Sequence, residues 1–316
     1  MTADSPLPAG RPPELEPAYL RLHRTGELSE RARQAVERLR SCDLCPRNCR
    51  VDRTLSAKGA VCRTGRRAVV HAAFPHHGEE RPIRGAGGSG TIFFSSCNLR
   101  CLFCQNWEIS WGREGREVDA EELAGLMLDL QARGCENVNL VSPSHVVAQV
   151  LEALDLAAGR GLRLPLVYNT GGYDAPRALA LLDGVIDVYM PDMKYADERV
   201  AHRLSGVRDY VRVNRAAVKV MHRQVGDLRL DARGVATRGL LVRHLVLPGG
   251  AAGTDAVMRF LARQVSRDTY VNVMDQYRPC HRAGEVPEIA RPPTHAEVDA
   301  AVAAARRHGI HRLDPG

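Results

Sequence analysis

Lysine is nearly absent from this 316-residue chain: Lys58, Lys194 and Lys219 are the only three, and arginine supplies the rest of the positive charge. With alanine-rich stretches such as "ALDLAAG" and "AAVAAARR", the imbalance reads as a coding-composition bias. The net charge of +7 comes with no basic helix and no stripe of arginines interleaved with aromatics, so it gives no argument for nucleic-acid binding. An acidic protein partner fits the same charge equally well. Long apolar runs are missing too, which argues against a membrane-spanning helix. The opening "MTADSPLPAG" lacks the basic-then-apolar order of a secretory signal. Mean hydropathy is mildly negative, so the expectation is a soluble globular protein of the cytoplasm, long enough to bury a substantial core. Thiols stay reduced there. The nine cysteines, an odd number, are better explained by metal or redox chemistry than by disulfides.

No internal repeat occurs, but a rhythm does. Residues 1–28 mix Pro, Gly and charge with little period and predict a flexible leader. "LSERARQAVERLRS" puts apolar and small residues at helical spacing behind a candidate cap, Ser29, and predicts a short amphipathic helix. That helix opens a cysteine-rich module over residues 29–84. Its last part runs into "HAAFPHHGEERPIRGAGGSG", whose glycines and prolines argue against long regular elements. From Gly90 on, six strand-like runs alternate with helical ones: "TIFFS", "NVNLVS", "LPLVYNT", "GVIDVYMPDMKY", "VRHLVLPGG" and "TYVNVMDQY". The first long helix has an Asp119 cap and a Gly134 stop. "LRLDARGVATRGLL" reads as a small hairpin turning at Arg233 and Gly234. Six strand–helix units predict an α/β core domain with a parallel sheet over residues 85–316. Six falls short of the eight that close a full barrel, so a partial (β/α)6 barrel is expected, with a doubly wound sheet as the alternative. Either puts the working residues at the carboxyl ends of the strands.

The loop after the first of these strands, "SSCNLRCLFCQNWEIS", holds Cys97, Cys101 and Cys104 within eight positions. Thiolates suit zinc and iron–sulfur clusters. Structural zinc wants four protein ligands, whereas a 4Fe-4S cluster on three cysteines keeps one iron open to a substrate. A structural metal site with a distant fourth thiol is the plainer reading. The Cys97-x3-Cys101-x2-Cys104 spacing after a first β-strand, with Phe103 before the last cysteine, resembles the signature of the radical S-adenosylmethionine (SAM) superfamily. The resemblance implies a partial (β/α)6 barrel, SAM chelated to the open iron, and its reductive cleavage to a 5′-deoxyadenosyl radical that abstracts hydrogen. The longer stretch from "HHGEERPIRG" to "CLFCQNWEIS" is similar to the branch around pyruvate formate-lyase activating enzyme, over about residues 40 to 280. That likeness implies an oxidoreductase activating a glycyl radical enzyme, with an electron donor such as flavodoxin or ferredoxin. A peptide or small-metabolite substrate is a second reading; a non-catalytic iron–sulfur electron-transfer protein is a third.

The same resemblance implies site residues. "PDMK" is similar to the Asp-x-Lys of the activating enzymes, so Asp192 and Lys194 would hold the SAM amine and carboxylate; an ordinary surface ion pair is the alternative. Asn106 matches the Asn two places after the last cysteine, where it would fix the loop or touch SAM. One departure stands out: where the activating enzymes carry Gly-Gly-Glu, this chain has "NVNLVSPSH". Ser142, Ser144 and His145 stand at that rim as cofactor contacts, or as a helix cap and a buried polar neighbour. Upstream, Cys42-x2-Cys45-x3-Cys49-x12-Cys62 is a full four-thiolate set for a second 4Fe-4S cluster or zinc, with Gly59 turning the chain before Cys62. Cys135 and Cys280 have no partners at metal spacing, and Cys135 reads as a small buried residue. "HHGEE", His76 to Glu80, is either an acid–base or substrate-binding segment near the open iron or a solvated loop. In "DQYRPC", Gln276 and Tyr277 face the substrate at the rim, unless Tyr277 packs.

Overall fold

Runs of Val, Ile, Leu and Tyr that are apolar on both faces make strands needing cover on both sides, and the helices between them supply it. The structure, a computed structural model, describes residues 16–315. Its strands are β1 (Ala68–His76), β2 (Ser89–Phe94), β3 (Arg116–Val118), β4 (Val138–Val141), β5 (Leu166–Thr170), β6 (Val188–Pro191), β7 (Arg229–Leu230), β8 (Ala236–Leu245) and β9 (Tyr270–Met274). The helices are α1 (Tyr19–Arg24), α2 (Glu27–Glu37), α3 (Arg81–Arg84), α4 (Trp107–Ser110), α5 (Ala120–Ala132) and α6 (Val147–Gly159). They continue with α7 (Pro176–Leu181), α8 (Glu198–Ser205), α9 (Tyr210–Val225), α10 (Thr254–Gln264) and α11 (His295–Arg307).

The six expected strands are β2, β4, β5, β6, β8 and β9, and each pairs in parallel with the next. Their spatial order follows the chain without a reversal. A doubly wound sheet reverses at its switch point; winding in one sense is what a barrel does. The fold is therefore α/β with a mostly parallel sheet, laid out as the expected partial barrel. The hairpin of β7 against β8 turns at Gly234 as anticipated. Asp119 caps α5 through a reciprocal capping box with Glu122, and Gly134, in the left-handed region, ends that segment. Among the described residues no helix is long and apolar enough to cross a membrane.

Three expectations are corrected. The leader over residues 1–28 falls partly outside the described residues, but its second half is folded: Tyr19, Leu20 and Leu22 on α1 and Leu28 on α2 are buried in the main core. The Tyr19 hydroxyl donates to the Leu164 carbonyl at 3.1 Å, and His23 Nδ1 lies 2.7 Å from Asp155 on α6. The α2 cap is Gly26, not Ser29, which lies inside the helix. The segment opening "HAAFPHH" is not irregular. It forms most of β1, antiparallel between β2 and β3, so it belongs to the sheet rather than to a separate amino-terminal module. Leu39, Cys42 and Leu44 share the barrel's core as well.

Packing of α1 makes a testable claim. Leu22 is almost fully buried, so Leu22→Ala should lower unfolding stability by about 3 kcal/mol. Urea denaturation measures it, and an unchanged midpoint would mean that α1 does not belong to the cooperative core.

Candidate metal and cofactor centre

β2 carries its apolar face, Ile92 and Phe94, into the core and ends at a sharp turn. Ser96 there adopts φ 71°, a left-handed backbone that strains any residue but glycine. The turn aims the following loop across the strand ends, and backbone hydrogen bonds pin it. Ser96 N–H donates to Ile109, and the amides of Arg100 and Leu102 donate to Ser205 and Leu204 at the end of α8. Cys97, Cys101 and Cys104 consequently line one cavity of about 240 Å³ at the carboxyl ends of the strands, with Asn106, Ser142, Asp192, Lys194 and Gln276. No fourth cysteine lines it. Each sulfur has a polar neighbour: the Leu99 amide donates to Cys97 Sγ at 3.4 Å, the Ser205 hydroxyl lies 3.0 Å from Cys101 Sγ, and the Ser110 hydroxyl lies 3.2 Å from Cys104 Sγ. Hydroxyl and amide donors of this kind stabilise thiolate charge and tune a bound centre. Ser110 and Ser205 carried no signal in the sequence, because Ser205 reaches the site from a helix a hundred residues away.

Burial pushes the Cys97 thiol up to about 12, and the neighbouring Cys101 and Cys104 add to the shift. Cys101 is raised by burial as well, while Lys194 pulls it back. Thiols held together this way ionise together only when a cation compensates them. Three soft donors, donors to their sulfurs and a cavity that also holds Asp192, Lys194 and Arg243 fit a 4Fe-4S cluster with one iron free for a second group.

Across the cavity, Asp192 and Lys194 stand where β6 ends, as expected, but they bind each other and a residue the sequence reading missed. Lys194 Nζ lies 2.6 Å from Asp192 Oδ2, and Arg243 Nε, from β8, lies 2.9 Å from Asp192 Oδ1. Arg243 also donates to Asn169 Oδ1 at 2.7 Å. Burial opposes ionisation of Asp192, but the Arg243 and Lys194 charges outweigh it and hold the carboxyl below its ordinary value. Burial likewise opposes the Lys194 charge, yet Asp192 and Cys101 raise it to about 12. Both groups are therefore charged although they are buried. The corner opposite is shaped by Gly171 and Gly172: Tyr210 and Asn214 on α9 clasp the carbonyls of this turn and of Asp192. Gly172, at φ 75°, has no room for a Cβ, which would sit 2.2 Å from Asn214 Nδ2.

The other expected residues separate. Ser142 reaches the cavity from a strained turn at φ 59°. Ser144 does not; its hydroxyl is buried 2.9 Å from Thr170 Oγ1, in a network closed by Asp174. His145 is buried and caps nothing, its Nε2 lying 3.0 Å from the Ser95 carbonyl. Burial lowers its pKa to about 3, so the imidazole is neutral. Tyr277 packs: its ring lies edge-on to Phe103 and its hydroxyl donates to Ile289, whereas Gln276 faces the cavity. Of "HHGEE", the two carboxylates are not solvated. Glu79 lies 3.9 Å from Arg243, and Asn272 donates to Glu80. Burial, with Glu80 close by, raises the Glu79 pKa against the pull of Arg243. Cys135 is buried, as read.

Cys42, Cys45, Cys49 and Cys62 fold into one tight module, closed by hydrogen bonds from the amides of Cys42 and Arg50 to Val51 and Cys42 and turned at Gly59. Burial pushes the Cys45 thiol up to about 12, with Cys62, Cys42 and Cys49 each adding. Among the described residues no three His, Cys, Asp or Glu side chains are drawn around one point as a single ion would require. The case for both centres is donor chemistry and proximity.

Arg243 should be felt in stability. Asp192 stays charged above its ordinary 3.8 and loses that contribution only as pH falls through its still lower folded value. Arg243→Met leaves it one cation and raises its pKa, so the variant should lose about 3 kcal/mol near neutral pH. Protonation of Glu79, which burial raises to about 7, begins to relieve the unpaired charge near neutral pH and that of Asp192 completes it in acid, so the loss should shrink as pH falls through 7. Urea unfolding at several pH values tests this; a loss independent of pH would mean that Arg243 matters only by its bulk.

Residues 91–228 match the family model of the radical SAM superfamily. An uncharacterized protein of Methanocaldococcus jannaschii is 29% identical over 281 residues, which cover 86% of this chain and 76% of that one. Among solved structures, a radical SAM methyltransferase from Sphaerobacter thermophilus is 15% identical at a TM-score of 0.47, covering 72% of this chain and 67% of its own. SuiB of Streptococcus suis, bound to precursor peptide SuiA, is 12% identical at a TM-score of 0.47, and the match spans 69% of this chain but only 46% of SuiB. The three-cysteine loop and the ends of β4, β5 and β6 that face it all lie within residues 91–228, the segment that is similar to the radical SAM superfamily.

Proposed function

We propose that this chain is a radical SAM enzyme holding a 4Fe-4S cluster on Cys97, Cys101 and Cys104, with S-adenosylmethionine against Asn106, Ser142, Asp192 and Lys194. The observation carrying this reading is that these side chains, from the ends of β2, β4 and β6, open into one cavity. When bound, those two groups supply a one-electron cleavage of the sulfonium that starts hydrogen-atom abstraction from a substrate. The chain's own residues prepare the place. Lys194 offers a compact cation to a ligand carboxylate, and Asp192 an acceptor to a ligand ammonium. Arg243 keeps Asp192 ionised and fixed. Leu99 and Phe103 are buried in the apolar cluster against which Cys97 and Cys101 pack. In this reading Cys42, Cys45, Cys49 and Cys62 are a second metal site, iron–sulfur or zinc.

The substrate proposed is a protein: as the likeness to activating enzymes implies, a glycine of a glycyl radical enzyme, with flavodoxin or ferredoxin delivering the electron. The serine turn at Ser142 in place of Gly-Gly-Glu, together with the added thiol module, favours a second reading, modification of a peptide or small metabolite.

Anaerobically reconstituted protein given SAM and a strong reductant should form 5′-deoxyadenosine and methionine, and Cys101→Ala should abolish both. Lys194→Met should weaken SAM binding about tenfold, the loss of one charge-assisted hydrogen bond, by equilibrium dialysis. No deoxyadenosine from the wild type would leave an electron-transfer protein. An electron-spin signal on a second protein supports the activase; deuterium moving from a small substrate into deoxyadenosine without that protein supports the second reading.

A further inference from the structure

We propose that Cys42, Cys45, Cys49 and Cys62 hold a thiolate-ligated metal centre that fixes the three-cysteine loop in place, with Arg53, Arg47 and Arg100 as the cross-links between the two. The inference rests on the reading of these four thiols as metal ligands, and it does not require SAM cleavage.

Arg53 is the first observation. Its side chain is only 2% exposed, and its guanidinium meets the Thr64 carbonyl at 2.6 Å, the His145 carbonyl at 2.8 Å and Cys42 Sγ at 3.4 Å. No carboxylate pairs with it among the described residues. A buried guanidinium stays charged and is heavily disfavoured without a counter-charge. The acidic side chain its guanidinium touches is the thiol of Cys42. Neutral thiols would leave Arg53 uncompensated; four thiolates around a thiophilic metal carry net negative charge and compensate it.

The cross-links are the second: those of Arg47 and Arg100 end on backbone beside a cysteine of the other centre, and that of Arg53 runs through His145. Arg47, between Cys45 and Cys49, donates to the carbonyl of Asn98, next to Cys97, at 2.7 Å and to Gly206 at 3.0 Å. In the opposite sense Arg100, between Cys97 and Cys101, donates to the carbonyl of Val61, next to Cys62, at 2.5 Å. Arg53 holds His145, whose ring holds the Ser95 carbonyl two residues before Cys97. The module thus grips the loop at its start and its middle. A loop otherwise fixed by a few backbone bonds would gain its rigidity from a metal-closed neighbour, and losing that metal would loosen it.

The test uses the full chain. With Cys97, Cys101 and Cys104 all changed to alanine, the protein should still carry about one zinc, or about four irons with matching sulfide, after anaerobic loading; adding Cys45→Ala should remove it. Which element is found names the centre. On the background that keeps the three cysteines, Cys45→Ala should speed hydrogen exchange at the Ser96, Arg100 and Leu102 amides at least ~10-fold. Should Cys45→Ala disturb the fold, Arg100→Gln gives the second measurement: it keeps the amino-terminal metal yet should speed the same amides. Arg53→Met should lose the metal to a chelator ~10-fold faster. A metal-free triple variant, metal that survives Cys45→Ala, or unchanged exchange in both loop tests overturns the proposal. Retained metal with no deoxyadenosine from the wild type would instead count against the enzymatic reading alone.

Discussion

At the carboxyl end of β6 one carboxylate is held between two cations, and the geometry of the cavity depends on that contact. Asp192 accepts from Lys194 on its own strand end and from Arg243 on β8, the neighbouring strand. Arg243 passes the connection to Asn169 on β5 and toward Glu79 on the segment after β1. Strand ends already paired through the backbone, as by the Met193 amide on the Arg243 carbonyl, are thus also joined by charge. Such a cluster is a poor way to gain stability, since desolvating three charges cancels most of their attraction and a well-packed apolar cluster serves as well. Its presence at the cavity mouth makes sense as pre-organisation: a fixed acceptor and a fixed ammonium, already desolvated, need no reordering when a zwitterionic ligand arrives.

The backbone makes a matching investment at three neighbouring strand ends. Ser96 after β2, Ser142 after β4 and Gly172 after β5 all leave their strands in the left-handed region, at φ 71°, 59° and 75°. For the two serines this costs about 1 kcal/mol each. The same reversal lifts each following segment over the strand end, so the thiol loop, the serine turn and the Gly171–Gly172 corner converge on one cavity. Strain of this sort persists only where surroundings over-determine it. Here Ile109 accepts from the Ser96 amide, Asn169 accepts from the Ser142 amide, and Asn214 clasps Gly172.

What could be read from the sequence follows from how local each signal is. The six parallel strands are continuous apolar runs, and the cysteine loop has its spacing written in eight residues. β1 was invisible for a physical reason: Pro75, His71 and His76 break the apolar pattern. Its end, past the three residues paired with β3, has one free edge where a missing N–H goes unpunished. Arg243 was missed because one arginine in "VRHLVL" looks like a surface residue until β8 is placed beside β6. Ser205 and Ser110 are anonymous serines whose role depends on α8 and α4 packing against the loop. The expected leader failed differently: α1 is only six residues long and weakly patterned, so its burial is decided by α6 and not by its own period.

The arginine excess also reads differently once the contacts are known. As a composition it resembled a bias spread over the surface, and no basic stripe emerged. Several of these residues are not surface charge at all. Arg47, Arg53 and Arg100 each bond at least two acceptors, mostly backbone carbonyls on separate segments. A planar guanidinium with five donors can join two chain segments in one rigid fork, whereas an ammonium on a flexible stem cannot hold that geometry. Lysine is kept where a point charge suffices, at Lys194. The same chemistry places Arg53 against the Cys42 sulfur, where a cation favours the thiolate form that a metal binds.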